Sequence, residues 1–466
     1  MNDSCDIAVV GAGPAGLAAA TLLAEHRVNV VLLDEQPAPG GQIYRNIEGL
    51  AASDPGLFAV LGPDYARGLD LIQRFRASPV DYRPGCSVWQ ITPDNEIWYS
   101  RAGQSRAVHA RALILATGAI ERPVPVPGWT LPGVMTGGAL QILLKSAAVT
   151  PDRPFVLAGA GPLLLLLAKQ YLDIGVRPVA VLDTSRSRNK WSALRHMPGA
   201  LGSAGRKYLA KGMSLLSALR NSGVPVFNGV EDIAIEGSTR AEAVVFTSAK
   251  TCHRIAASVI GLHEGVLPSQ QIARSLRCDF EWSEAQRSFH PVVDEWGRSS
   301  VKGVLIAGDG AGIGGALAAE HGGRVAALEA LRQVGKISEH QRDEVGRPER
   351  RTQADHLAIR PLLDALYPPP RQILHPADDV MICRCEEVRA GALRTVIGQG
   401  CQGPNQAKSF LRCGMGLCQG RLCGPTVSEI FAATGNRGVA EIGYYRIRPP
   451  LKPVTVKELA QMDPGA

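Results

Sequence analysis

The chain has 466 residues, enough for two or three domains, and its composition is ordinary for an α/β protein apart from 5% aromatics. A formal charge of +7, with no dense basic block interleaved with aromatics, argues against nucleic acid as a partner. No run reaches the ~18 uncharged apolar residues of a spanning helix, and MNDSCDIAVVG lacks a basic signal start, so a cytoplasmic location is expected.

The first element is a strand, loop, helix and strand over DIAVVGAGPAGLAAATLLAEHRVNVVLLDE, residues 6 to 35. Gly11, Gly13 and Gly16 fit G-x-G-x-x-G: a tight turn, a close backbone approach to a pyrophosphate, and close helix–strand packing. Pro14 and Ala15 complete the turn, whose helix N-terminus faces phosphate charge. Asp34 or Glu35 is placed to accept hydrogen bonds from an adenosine ribose. The loop alone does not choose between FAD and NAD.

Three later stretches bear on that choice: QPAPGGQIYR from residue 36, ALILATGAIERPVPVPG from residue 112, and VKGVLIAGDGAGIGGALAAEHGGRVAA from residue 301. Together with the first loop they resemble the two-dinucleotide-domain flavoprotein disulfide reductase superfamily. The resemblance implies FAD, with Gly41 and Gln42 in the loop after the ribose acid, Thr117 and Gly118 near the flavin, and Asp309 on the ribityl chain. Asp309, taken by itself, also reads as a helix N-cap after the strand VLIAG. The chain has no C-x-x-C, so the dithiol that thioredoxin-reductase chemistry requires is missing.

Residues 153 to 188 repeat the first pattern: a strand, Gly159 and Gly161, a helix, a strand VAVL and Asp183. The third glycine position is Leu164, which predicts a helix pushed off its strand or an occluded pyrophosphate approach. Asp183 suits a ribose 2′-hydroxyl whereas Arg186 and Arg188 suit a 2′-phosphate, so the site reads as degenerate, or as holding another adenine nucleotide. GLHEG, with His263 and Glu264, reads as a capping pair. EHGG, with Glu320 and His321, reads as packing or flavin support. No catalytic base is named.

A Pro-rich, charged stretch from about Gly346 to Asp379 reads as a linker or wrapping arm. After it six of the ten cysteines crowd together, beginning with Cys383 and Cys385 as C-x-C and ending with Cys418 and Cys423 as C-x-x-x-x-C. Four thiolates in two close pairs fit a 2Fe–2S cluster or structural zinc, and the ligands are expected to be Cys383, Cys385, Cys418 and Cys423. Cys413 is a rival for either of the last two, and Cys401 reads as a free thiol. Lys408 and Arg412 read as solvated residues with a possible counter-charge role. The spacing resembles the bacterioferritin-associated ferredoxin type of 2Fe–2S domain.

The joint pattern resembles the α (large) subunit of heteromeric amine and amino-acid dehydrogenases: opine oxidases, D-hydroxyproline dehydrogenase and dye-linked proline dehydrogenases, with relatives in hydrogen cyanide synthase and heterotetrameric sarcosine oxidase. It implies an α/β two-dinucleotide-binding-domain flavoprotein carrying a small α-rich C-terminal 2Fe–2S domain. The expected divisions are an FAD domain at 1–120 and 290–345, an inserted NAD(P)-like domain at 121–289, a linker at 346–380, a cluster domain at 381–440 and a tail at 441–466. The resemblance also implies a flavin-containing β subunit that oxidises the substrate, a small ferredoxin-like subunit in some members, and a quinone or other acceptor at the inner face of the membrane. FMN at a subunit interface is left open. Rival readings are a self-sufficient NAD(P)H-dependent flavin/iron–sulfur reductase, a glycine dehydrogenase subunit of the hydrogen cyanide synthase type, and a scaffold holding zinc.

Overall fold

A computed structural model of the protein describes residues 3–462, so the tail expected at 441–466 lies outside it at 463–466. The apolar strand Asp3–Val10 sits at the centre of a seven-stranded sheet. It pairs in parallel with Val30–Asp34 on one side and with Gln104–Leu115 on the other. Val304–Ile306 adds in parallel to the C-terminal end of Gln104–Leu115, opposite Leu113 to Leu115. The other end of that long strand pairs antiparallel with Glu96–Arg101, which pairs with Ser87–Ile91.

The helix Pro14–Glu25 leaves the first strand with proline at its start, where no N–H is needed. Its run of Ala and Leu is buried nearly all round because it is sandwiched between the sheet and the helix Ala316–Gln333. Small residues set that spacing: a Cβ on Gly323 would overlap the Ala15 carbonyl.

The second sheet is all parallel, in the order Val226–Asn228, Ala180–Asp183, Phe155–Gly159, Val259–His263, Val134–Thr136. The chain enters and leaves it through Ala119–Glu121 and Val266–Pro268, which pair antiparallel as a two-stranded joint. This is one α/β domain inserted into another. Of the segment expected in the insert, residues 272–280 pack instead on the first sheet, where Ala273, Leu276 and Cys278 share a core with Val304 and Ile306, while Trp282 and Phe289 pack against Ala432 and Val439.

The stretch expected as a linker is mostly helical. Glu339–Leu357 is a capped helix, with Ser338 and Gln341 satisfying each other's backbone amides, and Arg360–Leu366 and Arg371–Leu374 follow. The charge and proline that suggested a linker lie on a solvated helix face and in turns, and the arm packs Ile359 and Leu362 against Ala193 and Ala200 of the insert.

The C-terminal domain starts with the short ribbon of Met381–Cys383 and Val388–Arg389. The helices Ala390–Gly398, Pro404–Leu411 and Gly424–Gly435 enclose a core of Ile382, Leu393, Val427, Ile430, Phe431 and Tyr445. It docks through a buried ion pair in which Arg287 grips the Glu429 carboxylate with two nitrogens. Removing one partner of such a pair costs roughly 3–5 kcal/mol. Trp129 Nε1 donates to the Met381 carbonyl at 2.8 Å, and the Leu451 amide donates to the Trp89 carbonyl at 2.7 Å. No helix among the described residues is long and apolar enough to cross a membrane.

Candidate flavin site and cysteine cluster

The residues expected around FAD converge at the C-terminal ends of the central strands of the first sheet. Gly11 has φ +107°, and a Cβ on Gly16 would overlap the Gly11 carbonyl oxygen, so the helix can start against the strand only without a side chain there. Gly41 closes over this turn: a Cβ on it would lie 2.8 Å from the Gly13 Cα. Thr117 and Gly118 face Gly310, whose Cβ would come within 3.5 Å of both. This bare backbone cradle at a helix N-terminus fits the diphosphate of a dinucleotide.

Asp34 and Glu35 are placed differently from each other. The buried Asp34 carboxylate accepts from the amides of Ala12 and Gln36 and so ties the glycine loop to the second strand. Burial pushes its pKa up, against those two amides. Each oxygen keeps a second acceptor position for a ribose hydroxyl. Glu35 is exposed and pairs with Lys452 of the C-terminal tail. Gln42 accepts from Arg45 at 2.9 Å. Asp309 Oδ1 accepts from the amides of Gly314 (2.8 Å) and Gly315 (2.9 Å), so it caps the turn before the long helix. Asp309 also lines a cleft of about 780 Å³ rimmed by Arg347, Arg350, Arg351 and Arg360. None of the other residues expected at FAD lines that cleft.

In the second loop Leu164 is buried among Leu140, Leu157 and Leu167. The helix Pro162–Asp173 forms, but its first bond, Leu165 N to Gly161 O, is 3.4 Å against 2.9 Å for Leu17 N to Gly13 O. Arg186 pairs with Glu231 at 2.8 Å, and Asp183 Oδ1 accepts from the Ser185 amide.

His263 and Glu264 do not cap a helix, contrary to expectation. His263 Nδ1 lies 2.7 Å from Glu121, whose carboxylate caps the helix Gly137–Ala147 through the Gly138 amide. Glu264 is buried and accepts from Thr184 Oγ1 at 2.8 Å. Burial pushes its pKa up to about 8, against that hydrogen bond and the nearby Arg122. Glu320 pairs with Arg67 and Arg324, and His321 with Glu349, in packing roles.

The cysteine-rich tail folds into one constellation. Cys383, Cys413 and Cys423 are buried with their sulfurs within 4.8 Å of one another. Cys383 accepts from Cys413 and Cys423, and further from the Gly414 and Glu386 amides, which pulls its pKa down to about 2 despite burial. Cys413, held by Cys383, is pushed up to about 12. Cys385 is exposed and hydrogen-bonded to the half-buried Cys418. Of the expected ligands, then, Cys383 meets Cys423 and Cys385 meets Cys418. Cys413 joins the buried pair as a fifth thiol. Cys401 stands apart, with its sulfur 3.8 Å from the Gly403 carbonyl.

Backbone shape makes room for this. A Cβ on Gly416 would overlap the Cys385 Cβ, and Gly414 and Gly420 lie flat on the Tyr445 ring. The Tyr445 hydroxyl donates to Cys413 at 3.3 Å and lies 3.7 Å from the Cys423 sulfur. A donor set of five thiols with glycine turns fits an iron–sulfur cluster. Lys408 sits 5.1 Å above the Tyr445 ring, closer in than a solvated residue, whereas exposed Arg412 pairs with Glu386. Tyr445 carried no spacing signal, being one of a tyrosine pair, with Tyr444, beyond the last cysteine.

The family model for pyridine nucleotide-disulphide oxidoreductase matches residues 5–333, and that for the BFD-like 2Fe-2S binding domain matches residues 381–433. The A subunit of opine oxidase from Rhizobium meliloti (strain 1021) is 45% identical, covering 98% of both chains. The chain belongs to the family of opine oxidase A subunits. Within a wider circle of that family, hydrogen cyanide synthase subunit HcnB of Pseudomonas aeruginosa is 33% identical, covering 96% of both chains. Among solved structures, L-proline dehydrogenase from P. horikoshii shares the fold with a TM-score of 0.69 at 19% identity, covering 98% of this chain and 80% of that one. The family's domain pair agrees with the two cofactor sites, so FAD and a 2Fe–2S cluster are the cofactors and the chain is an oxidoreductase subunit.

Proposed function

We propose that this chain is the electron-transfer subunit of a multi-subunit dehydrogenase that oxidises a C–N bond of an opine, amino acid or imino acid. The observation that carries the reading is the thiol constellation in a domain clamped onto the flavin domain by Arg287 and Glu429. Bound FAD supplies exchange between two-electron and one-electron chemistry, and the bound cluster supplies one-electron relay. The residues of the chain hold and insulate these groups. Gly11, Gly13, Pro14, Ala15 and Gly16 receive the FAD diphosphate with Gly41 and Gln42 in the loop that closes over them, Asp34 the ribose, Thr117 and Gly118 the ring side, and Asp309 the ribityl chain. Asp34 keeps acceptor capacity while Glu35 is engaged with Lys452, which favours Asp34 for the ribose.

The buried pair Cys383 and Cys423 and the outer pair Cys385 and Cys418 would hold the irons of the cluster. This assignment follows the two sulfur pairs, and leaves Cys413 as a buried hydrogen-bonding neighbour. The outer pair opens beside Leu417, which is 74% exposed, and that side would be the one to face an electron-exchanging partner. Substrate oxidation belongs to a partner flavin subunit, in keeping with the subunit naming of the opine oxidase relatives, and the electrons end on a quinone or other acceptor at the cytoplasmic face of the membrane. The arginine-rimmed cleft beside Asp309 suits the phosphate of an FMN shared with that partner. The second domain, with Leu164 in its loop, is not a nicotinamide turnover site.

The test is co-expression with the partner subunits and anaerobic addition of an opine or proline-type substrate. The expected result is flavin bleaching followed by the electron paramagnetic resonance signal of a reduced 2Fe–2S cluster. Bleaching by NADH or NADPH alone, with no response to any C–N substrate, would support the self-sufficient reductase instead.

A further inference from the structure

Arg274 occupies an unusual place. It lies on the short helix Gln271–Ser275, and its guanidinium is buried at the seam between the flavin domain and the cluster domain. No carboxylate lies within ion-pair distance of it among the described residues, and its Nη2 is buried without a hydrogen-bond partner. Its surroundings are three aromatic rings: Phe280 at 4.0 Å, Tyr444 at 4.2 Å and Phe289 at 5.0 Å from the guanidinium carbon. Its one side-chain partner is neutral, the Gln270 Oε1, which accepts from Nε at 2.8 Å. Burial draws its pKa down to about 10, which leaves it charged at neutral pH.

A buried, unpaired guanidinium is costly, and aromatic faces return only part of that cost. Negative charge nearby would supply the rest. Tyr444 points the way. Its ring stacks on Arg274, while its hydroxyl donates to the Gly420 carbonyl at 3.0 Å and sits against Gly424, next to Cys423. Arg274 is thus one aromatic ring away from the thiolate cage. On its other side Gln270 follows Ser269, whose amide donates to Gly118 at 2.9 Å on the flavin side.

We propose that Arg274 is a positioning residue that sets the reduction potential of the cluster, its buried positive charge favouring the reduced form. The proposal rests on the cluster reading above. A 2Fe–2S centre with four thiolates is anionic, and it gains one further negative charge with each electron taken. In a poorly screened interior a fixed positive charge at that range stabilises the reduced state more than the oxidised one. The aromatic box holds the charge in place and keeps water from screening it. Arg287, by contrast, is neutralised by Glu284 and Glu429.

The test uses the full-length protein with its cluster loaded and two variants that remove the charge by different routes. Arg274→Gln deletes it. Gln270→Glu leaves the arginine in place and sets a carboxylate against it. Potentiometric titration, followed by the electron paramagnetic resonance signal of the reduced cluster, is expected to give a lower midpoint potential in both, with iron and sulfide content unchanged. Arg274→Lys is expected to restore most of the wild-type value, which a merely structural role would not require. A loaded cluster whose potential stays at the wild-type value in either charge-removing variant overturns the assignment. A wild-type protein holding no iron and sulfide overturns instead the cluster reading on which it depends.

Discussion

The hydroxyl of Tyr445 lies 3.3 Å from the sulfur of Cys413, under two glycine turns that leave no room for any other side chain. That contact gives Cys413 a hydrogen-bond partner outside the proposed ligand set, although its sulfur also lies within 4.8 Å of those of Cys383 and Cys423. Cys413→Ser is therefore expected to retain iron and sulfide near two per subunit, as the cluster type requires. Serine at Cys383, Cys385, Cys418 or Cys423 is expected to lose most of the iron. Metal analysis of the five purified variants decides the matter, and iron lost from Cys413→Ser but kept by Cys418→Ser or Cys423→Ser would reverse the assignment.

Gly416 makes a sharper test of the same cage. A methyl group there meets the Cβ of Cys385, which sits in the turn between the two ribbon strands, two residues after Cys383. Gly416→Ala is expected to lower cluster occupancy severalfold while leaving the flavin bound, read from the ratio of iron to FAD. Gly398→Ala, where nothing lies within 4 Å of the added carbon, is the control and is expected to keep full occupancy.

Glu264 links the second domain to pH. Its folded pKa of about 8 exceeds the ordinary 4.5, so between those values the folded state holds a proton that the unfolded chain has released. Its contribution is therefore complete below about pH 4.5 and is lost as pH rises toward 8, on the order of a few kcal/mol in all. Glu264→Gln keeps an acceptor for Thr184 and is expected to flatten this slope and to be the more stable form at pH 7 and above. Denaturant titrations between about pH 5 and 7 avoid the opposing slope of Lys145, whose folded pKa near 7 makes stability rise with pH above that point. An unchanged slope in the variant would place the proton elsewhere.

Leu164 carries the remaining prediction. Leu164→Gly rebuilds the three-glycine pattern but empties a core position, at a cost of roughly 3–6 kcal/mol from the lost side chain and the helical glycine. The expected result is a large fall in melting temperature with no gain in flavin bleaching by NADH or NADPH. Fast bleaching by the variant would mean that this leucine alone had closed a working nicotinamide site.

Much of the molecule was legible along the chain. Both glycine loops, their flanking strands and helices, and the short helices between the cysteines follow from local patterns: apolar periodicity, turn glycines and helix-start residues act within a few positions of one another. The clustering of cysteines in the tail likewise announced a metal centre by density alone. Tertiary structure had to decide the rest, because the deciding contacts join residues far apart in sequence. Only the folded chain pairs Cys383 with Cys423, sets Tyr445 beneath Cys413, buries Arg274 against Tyr444, and joins Glu264 to Thr184 and Arg122. It also moves residues 272–280 onto the first sheet and turns a proline-rich linker into a packed helical arm. Such pairings depend on which surfaces meet when separate apolar cores close on one another, and no local pattern encodes that meeting.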